Sequence, residues 1–482
     1  MSASPAFERR LDVRFLIAVV AIGVMSFAGV VVETAMNIAF PALMREFDVA
    51  TSTVQWITTG YLLVLAAIMP ISSLLNRRFR TRTLFVFAGV AFLLGTLLCA
   101  LAPGFVLLVG GRLIQGVGAG IALPLMFNLV LEQAPLDRLG MMMGIATLIT
   151  AIAPAVGPSL GGFLIGAYGW RSVFWCLVPF LLISLALGIA TIRQSHPTAP
   201  APFSPLQFVL LASGFTALVI ATSSASTAGV TSPRVLGLLA LAVALVAAFC
   251  LVSARSRTPL LRIGIFRRPV FTLSVLYVVL IQATVLALGY LIPYYAQVAG
   301  SMDSFSAGCL LLPGCIVGAC LTPFGGRVLD ALGPARPIRI GAVFGVATMV
   351  LFALIGTAGS ATRMAWIYIL LPICQGLSVS NSMTHGLRSL PDSLQADGNA
   401  AFNTIQQLGG AIGTAVAATI VAMAQAARPD AVAAATVDGT RTAMWVFLGV
   451  VAVAALLAGI ATARAPHAHK PGTHPLHRNR HL

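Results

Sequence analysis

Charge is what this sequence has least of. Only 9% of its 482 residues are Asp, Glu, Lys or Arg, against roughly 25% in an ordinary soluble domain. Lysine is nearly missing, since Lys470 is the only one. A soluble surface needs charge, so most of this chain faces another solvent. The net charge of +16 does not mark a nucleic-acid partner: there is no basic domain and no aromatic-rich RNA-binding motif, and the arginines fall in short clusters between apolar runs. Seven cysteines, at 99, 176, 250, 309, 315, 320 and 374, include no CxxC pair. Scattered through apolar runs, they read as small apolar residues inside helices. No His, Asp or Glu cluster reads as a metal site or a catalytic constellation, so the chain is not read as an enzyme. No cleavable signal pattern is evident: Glu8 to Arg14 is followed by a long apolar run, not by a short one with a cleavage site.

What is abundant is apolar length. Hydrophobic residues make up 59% of the chain and the mean hydropathy is +0.97. A helix needs about 20 apolar residues to cross a bilayer. Fourteen such runs start near Phe15, Val54, Thr83, Val106, Met141, Val173, Leu206, Val235, Val270, Ala307, Ile338, Met364, Ala400 and Thr442. With the N-terminus placed in the cytoplasm, most connections rich in arginine fall inside. These include Arg77, Arg78, Arg80 and Arg82, and Arg255, Arg257, Arg262, Arg267 and Arg268. The outer loops hold roughly one each, which is the positive-inside bias. An even number of spans leaves both termini cytoplasmic. The expected plan is a cytoplasmic N-terminus (1–14), a six-helix bundle (15–192), an inserted helix pair with a basic loop (193–269), a second six-helix bundle (270–463) and a disordered cytoplasmic tail (464–482).

Two loops at equivalent places point to duplicated halves. After span 2 the chain reads Ser72-Ser73-Leu74-Leu75-Asn76-Arg77-Arg78-Phe79-Arg80; after span 10 it reads Gly326-Arg327-Val328-Leu329-Asp330-Ala331-Leu332-Gly333. Both resemble the signature loop of the major facilitator superfamily, Gly-x-x-x-Asp-Arg-x-Gly-Arg-Arg. The second copy keeps Gly326, Asp330 and Gly333, whereas Ser72, Asn76 and Phe79 replace the anchors of the first. The resemblance implies a conformational latch, in which an Asp meets a basic partner or a helix N-terminus. Asn76 cannot supply that charge.

Three further stretches resemble the fourteen-span drug–proton antiporter branch of that superfamily. They are Glu33-Thr34-Ala35-Met36-Asn37-Ile38-Ala39-Phe40-Pro41 with Glu in place of the usual Asp, Gln55-Trp56 with Tyr61, and Gly157-Pro158-Ser159-Leu160-Gly161-Gly162 at the end of span 5. The last is the antiporter signature, associated with exporters. The implied fold is an all-α polytopic membrane protein: two six-helix bundles plus an inserted pair, fourteen transmembrane helices in all.

Glu33 lies about 20 residues into the first run. A charge in hydrocarbon costs roughly 2.5–3.5 kcal/mol on insertion scales, and desolvation favours the neutral acid. Both suit a group that loads and releases a proton each cycle; the alternative is a Glu satisfied by local hydrogen bonds or near the outer mouth. Arg112, in span 4, matches an Arg that the family carries and that implies modulation of the proton site. Its alternative is snorkelling to the outer interface. Gly116, Gly118 and Gly120 read as helix-packing residues, since no strand or Lys-Ser/Thr accompanies them. Gly157, Pro158, Gly161 and Gly162 read as a kink packed against the opposite half. Polar and aromatic residues inside spans mark the expected cavity: Asn37, Trp56, Tyr61 and Asn128 from the first half, and Gln282, Tyr290, Tyr294, Gln375, Asn381, Asn403 and Gln407 from the second. Such walls suit amphipathic or cationic ligands.

The expectation is a monomeric proton-coupled exporter working by alternating access. It uses no cofactor beyond the proton gradient. Its partners are a small-molecule substrate, protons and the bilayer. Glu33 is the only deep acid visible, with none in spans 9 to 14, so neutral or singly charged lipophilic substrates are favoured over dications. Rival readings are dedicated export of one metabolite or antibiotic, proton-coupled uptake, and a non-transporting scaffold.

Overall fold

A computed structural model describes residues 12–463 except 50, 55, 195–197, 199–202, 230–231, 257–258 and 357–359. The tail expectation, Gln55 and Arg257 therefore lie outside the described residues. Every regular element among them is helical. Fourteen helical segments are long and apolar enough to cross a membrane. Span 1 lies within helix Val13–Phe47 and span 5 within Leu139–Tyr168. Spans 2, 3 and 4 are Trp56–Arg78, Thr81–Ala100 and Phe105–Gln133, and span 6 is Arg171–Thr191. Spans 7 and 8 are Pro205–Thr222 and Pro233–Arg255. The second half comprises Pro269–Val298, Phe305–Leu332, Ala335–Gly356, Ala361–Arg388, Asp392–Ala427 and Pro429–Ala463, spans 9 to 14.

Local chemistry sets these boundaries. Pro233 and Pro269 begin spans 8 and 9, where the missing N–H has no intrahelical partner to lose. Gly169 and Gly333, at φ +81° and +79°, end spans 5 and 10, a conformation that L side chains resist. Spans 13 and 14 begin well before the apolar runs at Ala400 and Thr442. The extra turns, such as Asp392 to Asp397, are too polar to read as membrane segments. They lead into residues buried against the rest of the protein, Asp397, Gly398 and Asn399.

Span 4 runs through the first half. A Cβ on Gly116 would lie 2.9 Å from the Tyr61 carbonyl oxygen and one on Gly120 2.9 Å from Ile68 Cβ, both on span 2. Gly118 faces span 3, where the Ala88 carbonyl oxygen would be 2.6 Å away. These glycines are packing residues, as expected. Spans 7 and 8 pair with each other, and span 7 also packs against spans 2 and 13, one from each half. The inserted pair thus lies along a seam between halves. Span 5 lies along span 10 to form a second seam.

Candidate functional site

Arg112 is the largest fully buried side chain among the described residues, with 0% of its surface exposed. It does not snorkel. Its Nε donates to the Ile57 carbonyl at 3.2 Å and its Nη1 to Gln115 Oε1 at 2.8 Å. The guanidinium carbon sits 4.2 Å from the centre of the Tyr61 ring, where the ring's negative face stabilises a cation. Gln115 in turn donates to Thr96 Oγ1 at 2.8 Å. Nη2 is buried with no hydrogen-bond partner. Glu33 lies within electrostatic reach of both Arg112 and Tyr61. The Tyr61 hydroxyl donates to the Gly29 carbonyl at 3.1 Å, one turn before Glu33. At 1.5 Å per residue Glu33 stands about 30 Å along the helix from Val13.

Span 5 supports this cluster from the other side of span 1. A Cβ on Gly157 would meet Thr34 Oγ1 inside contact distance, with Thr34 Cβ and the Val31 carbonyl oxygen both at 2.9 Å. One on Gly161 would lie 2.7 Å from Ala35 Cβ. Gly157 and Gly161 therefore clamp the turn that carries Glu33, within one half, and not against the opposite half as expected; Ser159 between them does face that half, 4.0 Å from Cys309 Sγ on span 10. Helix Leu139–Tyr168 runs through Pro158 and Gly162 without a break; the Pro158 side chain is outside what is described.

The packing across halves uses other glycines. A Cβ on Gly140 would lie 2.7 Å from the Gly326 carbonyl oxygen, and one on Gly144 2.6 Å from that of Thr322. Asp330 accepts from the backbone amides of Gly140 and Met141, both at 3.0 Å, and from Arg388 at 3.1 Å. The second signature loop thus meets a helix N-terminus in the opposite half and a basic side chain. Gly333 ends the helix at φ +79°.

The first loop works differently. Asn76 stays within its own half and donates to Glu132 at 3.0 Å. Its neighbour Arg77 crosses the seam to Asp397 on span 13, at 2.7 Å. Asp397 is an acid in the second half with 1% of its side chain exposed, which corrects the expectation of none in spans 9 to 14. It was overlooked because it sits among polar residues before the apolar run. Asn399, two residues on, donates to the Pro124 carbonyl at 2.9 Å and to Asn128 Oδ1 at 2.7 Å. Both inter-half seams therefore carry polar contacts at the arginine-rich end.

The expected cavity residues divide. Asn128 and Asn403 belong to this amide ladder, since Asn403 donates to Asn399 Oδ1 at 2.7 Å. Asn381 bonds within its own helix, to the Leu377 carbonyl. Gln282 accepts from Gln406 at 3.1 Å, linking spans 9 and 13, while Gln407 is half-buried one residue on. Tyr290 and Tyr294 stack with centroids 5.3 Å apart, and Gln425 donates to the Tyr294 hydroxyl at 3.0 Å. Gln375 opens a π-helical turn, Gln375–Val379. Trp56 is 47% exposed at the start of span 2, and the Asn37 side chain is outside what is described. Gly140, Gly144, Asp397 and Asn399 were not foreseen. Glycines four apart were the available signal for the first two.

A family model described as Major Facilitator Superfamily matches residues 21–414. The chain belongs to the major facilitator superfamily. Among relatives of this transporter family, lincomycin resistance protein LmrB of Listeria monocytogenes is 36% identical over 401 residues, covering 83% of this chain and 85% of the relative. A multidrug resistance protein B homolog of Mycobacterium tuberculosis is 30% identical, covering 87% and 78%. The fold is shared with the human organic anion transporter MFSD10, at a TM-score of 0.65 and 13% identity, covering 92% of this chain and 99% of that one. It is shared also with the proton:xylose symporter XylE, at 0.62 and 13%, covering 92% and 94%. As a member of this superfamily the chain is a multi-pass membrane transporter of small molecules.

Proposed function

We propose that this transporter is a proton-coupled efflux antiporter for lipophilic neutral or singly charged compounds, working as a monomer with both termini in the cytoplasm. The observation that carries the reading is the Glu33–Tyr61–Arg112 cluster: a half-buried carboxylate within electrostatic reach of one fully buried guanidinium. Arg112 offers Glu33 a fixed positive charge, and Tyr61 holds Arg112 in place through its ring. Protonation of Glu33 from outside removes the attraction to Arg112. Release of that proton on the inner side restores it, so the cluster has two electrostatic states for two access states. The proton gradient is the energy source and no cofactor takes part. Inward movement of charge draws about 2.3 kcal/mol per charge per 100 mV from the membrane potential. Asp397 does not add a second carboxylate for a dication, because Arg77 and Arg262 already face it. The resistance proteins among the relatives support the direction of transport.

The test uses inverted membrane vesicles with an acidified lumen and a fluorescent pH probe. Lincomycin and a panel of lipophilic cations and neutral compounds are added in turn. Substrate-triggered proton release, lost in Glu33→Gln, is the expected result. No release with any compound in either form overturns the reading. The relatives named for lincomycin alone favour a narrower form, export of one antibiotic; a response confined to that compound would establish it.

A further inference from the structure

We propose that the inserted helix pair supplies a working part of the cytoplasmic gate: its exit loop carries Arg262 as an alternate partner for Asp397, taking over that buried charge when Arg77 withdraws. Arg262 is a positioning residue, and its effect on transport runs through Asp397.

In the closed arrangement Asp397 is shared unequally. Arg77 bonds Oδ1 at 2.7 Å. The Ser73 hydroxyl, on span 2 like Arg77, also stabilises the carboxylate, and Arg262 Nε waits 3.9 Å from Oδ2 with 48% of its side chain exposed. Opening to the cytoplasm separates span 2 from span 13 and takes Arg77 away. Until water enters the widening cleft, a carboxylate that has lost its counter-charge is strongly disfavoured, so the first stage of opening is slow unless another cation stays behind.

Arg262 is placed to stay. The Gln207 side chain accepts from the Leu260 amide at 2.6 Å, and the Ser253 hydroxyl donates to the Leu261 carbonyl at 2.8 Å. These bonds pin the segment beside Arg262 to spans 7 and 8. The following turn, Ile263–Arg267, packs against spans 9 and 13, and Thr272 on span 9 donates to the Phe266 carbonyl at 2.7 Å. The turn Ile263–Arg267 and its direct run into span 9 tie Arg262 to the half that carries Asp397, even though span 7 also touches span 2, whereas Arg77 belongs to the other half. The two arginines should therefore have opposite effects. Arg77 holds the gate shut, and Arg262 lowers the cost of opening it.

The test reads gate opening without substrate or proton flux, so it is separate from the efflux reading. Leu131 lines a cavity of about 80 Å³ between spans 4 and 13 and is buried. Leu131→Cys is introduced into the full chain with the seven native cysteines replaced. Its labelling by a membrane-impermeant maleimide, applied to the cytoplasmic face of inverted vesicles, is followed over time. Arg77→Gln should speed labelling. Arg262→Gln should slow it roughly tenfold, and Arg262→Lys should restore it. With Asp397→Asn, which needs no cation, Arg262→Gln should have no effect. Faster or unchanged labelling in Arg262→Gln overturns the proposal, as does a slowing that persists beside Asp397→Asn.

Discussion

Gly157→Ala is the substitution that most directly tests the link between span 5 and the proton site. The added methyl would meet Thr34 Oγ1, and would stand 2.9 Å from both Thr34 Cβ and the Val31 carbonyl oxygen. The Thr34 hydroxyl is held by the Val30 and Val31 carbonyls at 3.0 and 3.2 Å, and a helical Thr has few rotamers to choose from. The Val31 oxygen is main chain and cannot turn aside. Relief requires span 1 to shift, and overpacking of this kind costs about 1–3 kcal/mol. Glu33 lies in the displaced turn, so its spacing to Arg112 changes with it. Drug-driven proton release should fall about fivefold or more, since about 1.4 kcal/mol of misplacement is a factor of ten and the cost starts near 1 kcal/mol. Thr34→Ala removes the nearest of the three clashes but leaves the Cβ at position 34 and the Val31 oxygen, so it should restore part of the loss in the double variant, a coupling of about 1 kcal/mol. Wild-type transport by Gly157→Ala would refute the clamp. So would a double variant no better than Gly157→Ala alone, because the fault would then lie elsewhere.

Two further outcomes are expected. Tyr61→Phe keeps the ring beside Arg112 and loses one hydrogen bond, about 0.5–1.5 kcal/mol, so transport should largely persist. Tyr61→Ala also removes a desolvated cation–π contact of about 2 kcal/mol and should lose most of it in the same vesicle assay. At the end of helix Val13–Phe47, slight burial would raise the pKa of Glu46, but hydrogen bonds from Trp170 and Arg171 and the Arg171 charge outweigh it and hold the carboxyl below its ordinary 4.5. Its contribution is therefore present above pH 4.5 and lost as pH falls through the lower folded value. Glu46→Gln should lower the melting temperature slightly at pH 7, within about 1 kcal/mol for so exposed a pair, and progressively less in acid. An equal deficit at every pH would show that the charge is not responsible.

The number and order of spans were legible because each apolar run is long enough to be its own signal. Glu33 and Arg112 were legible for the complementary reason: a charge inside such a run is conspicuous. Asp397 was not, since burial of a residue beside Asp392 and Gln395 depends on which helix lies across from it. Asn128 and Asn403 were found as polar residues in spans, yet their facing each other through Asn399 is a property of two helices 275 residues apart in their contacts. The antiporter-type glycines were read from the right residues with the wrong neighbour. A sequence shows that two helices approach closely but not which two.

The two seams at the arginine-rich end are also unequally open to evolutionary adjustment. Asp330 is held partly by the amides of Gly140 and Met141, which remain whatever side chains replace those residues. Arg77, Asp397 and Arg262 are bound through side chains alone, so single codon changes can strengthen, weaken or reverse each link. One seam is therefore a fixed hinge-stop, and the other is where a lineage can retune how often the transporter opens.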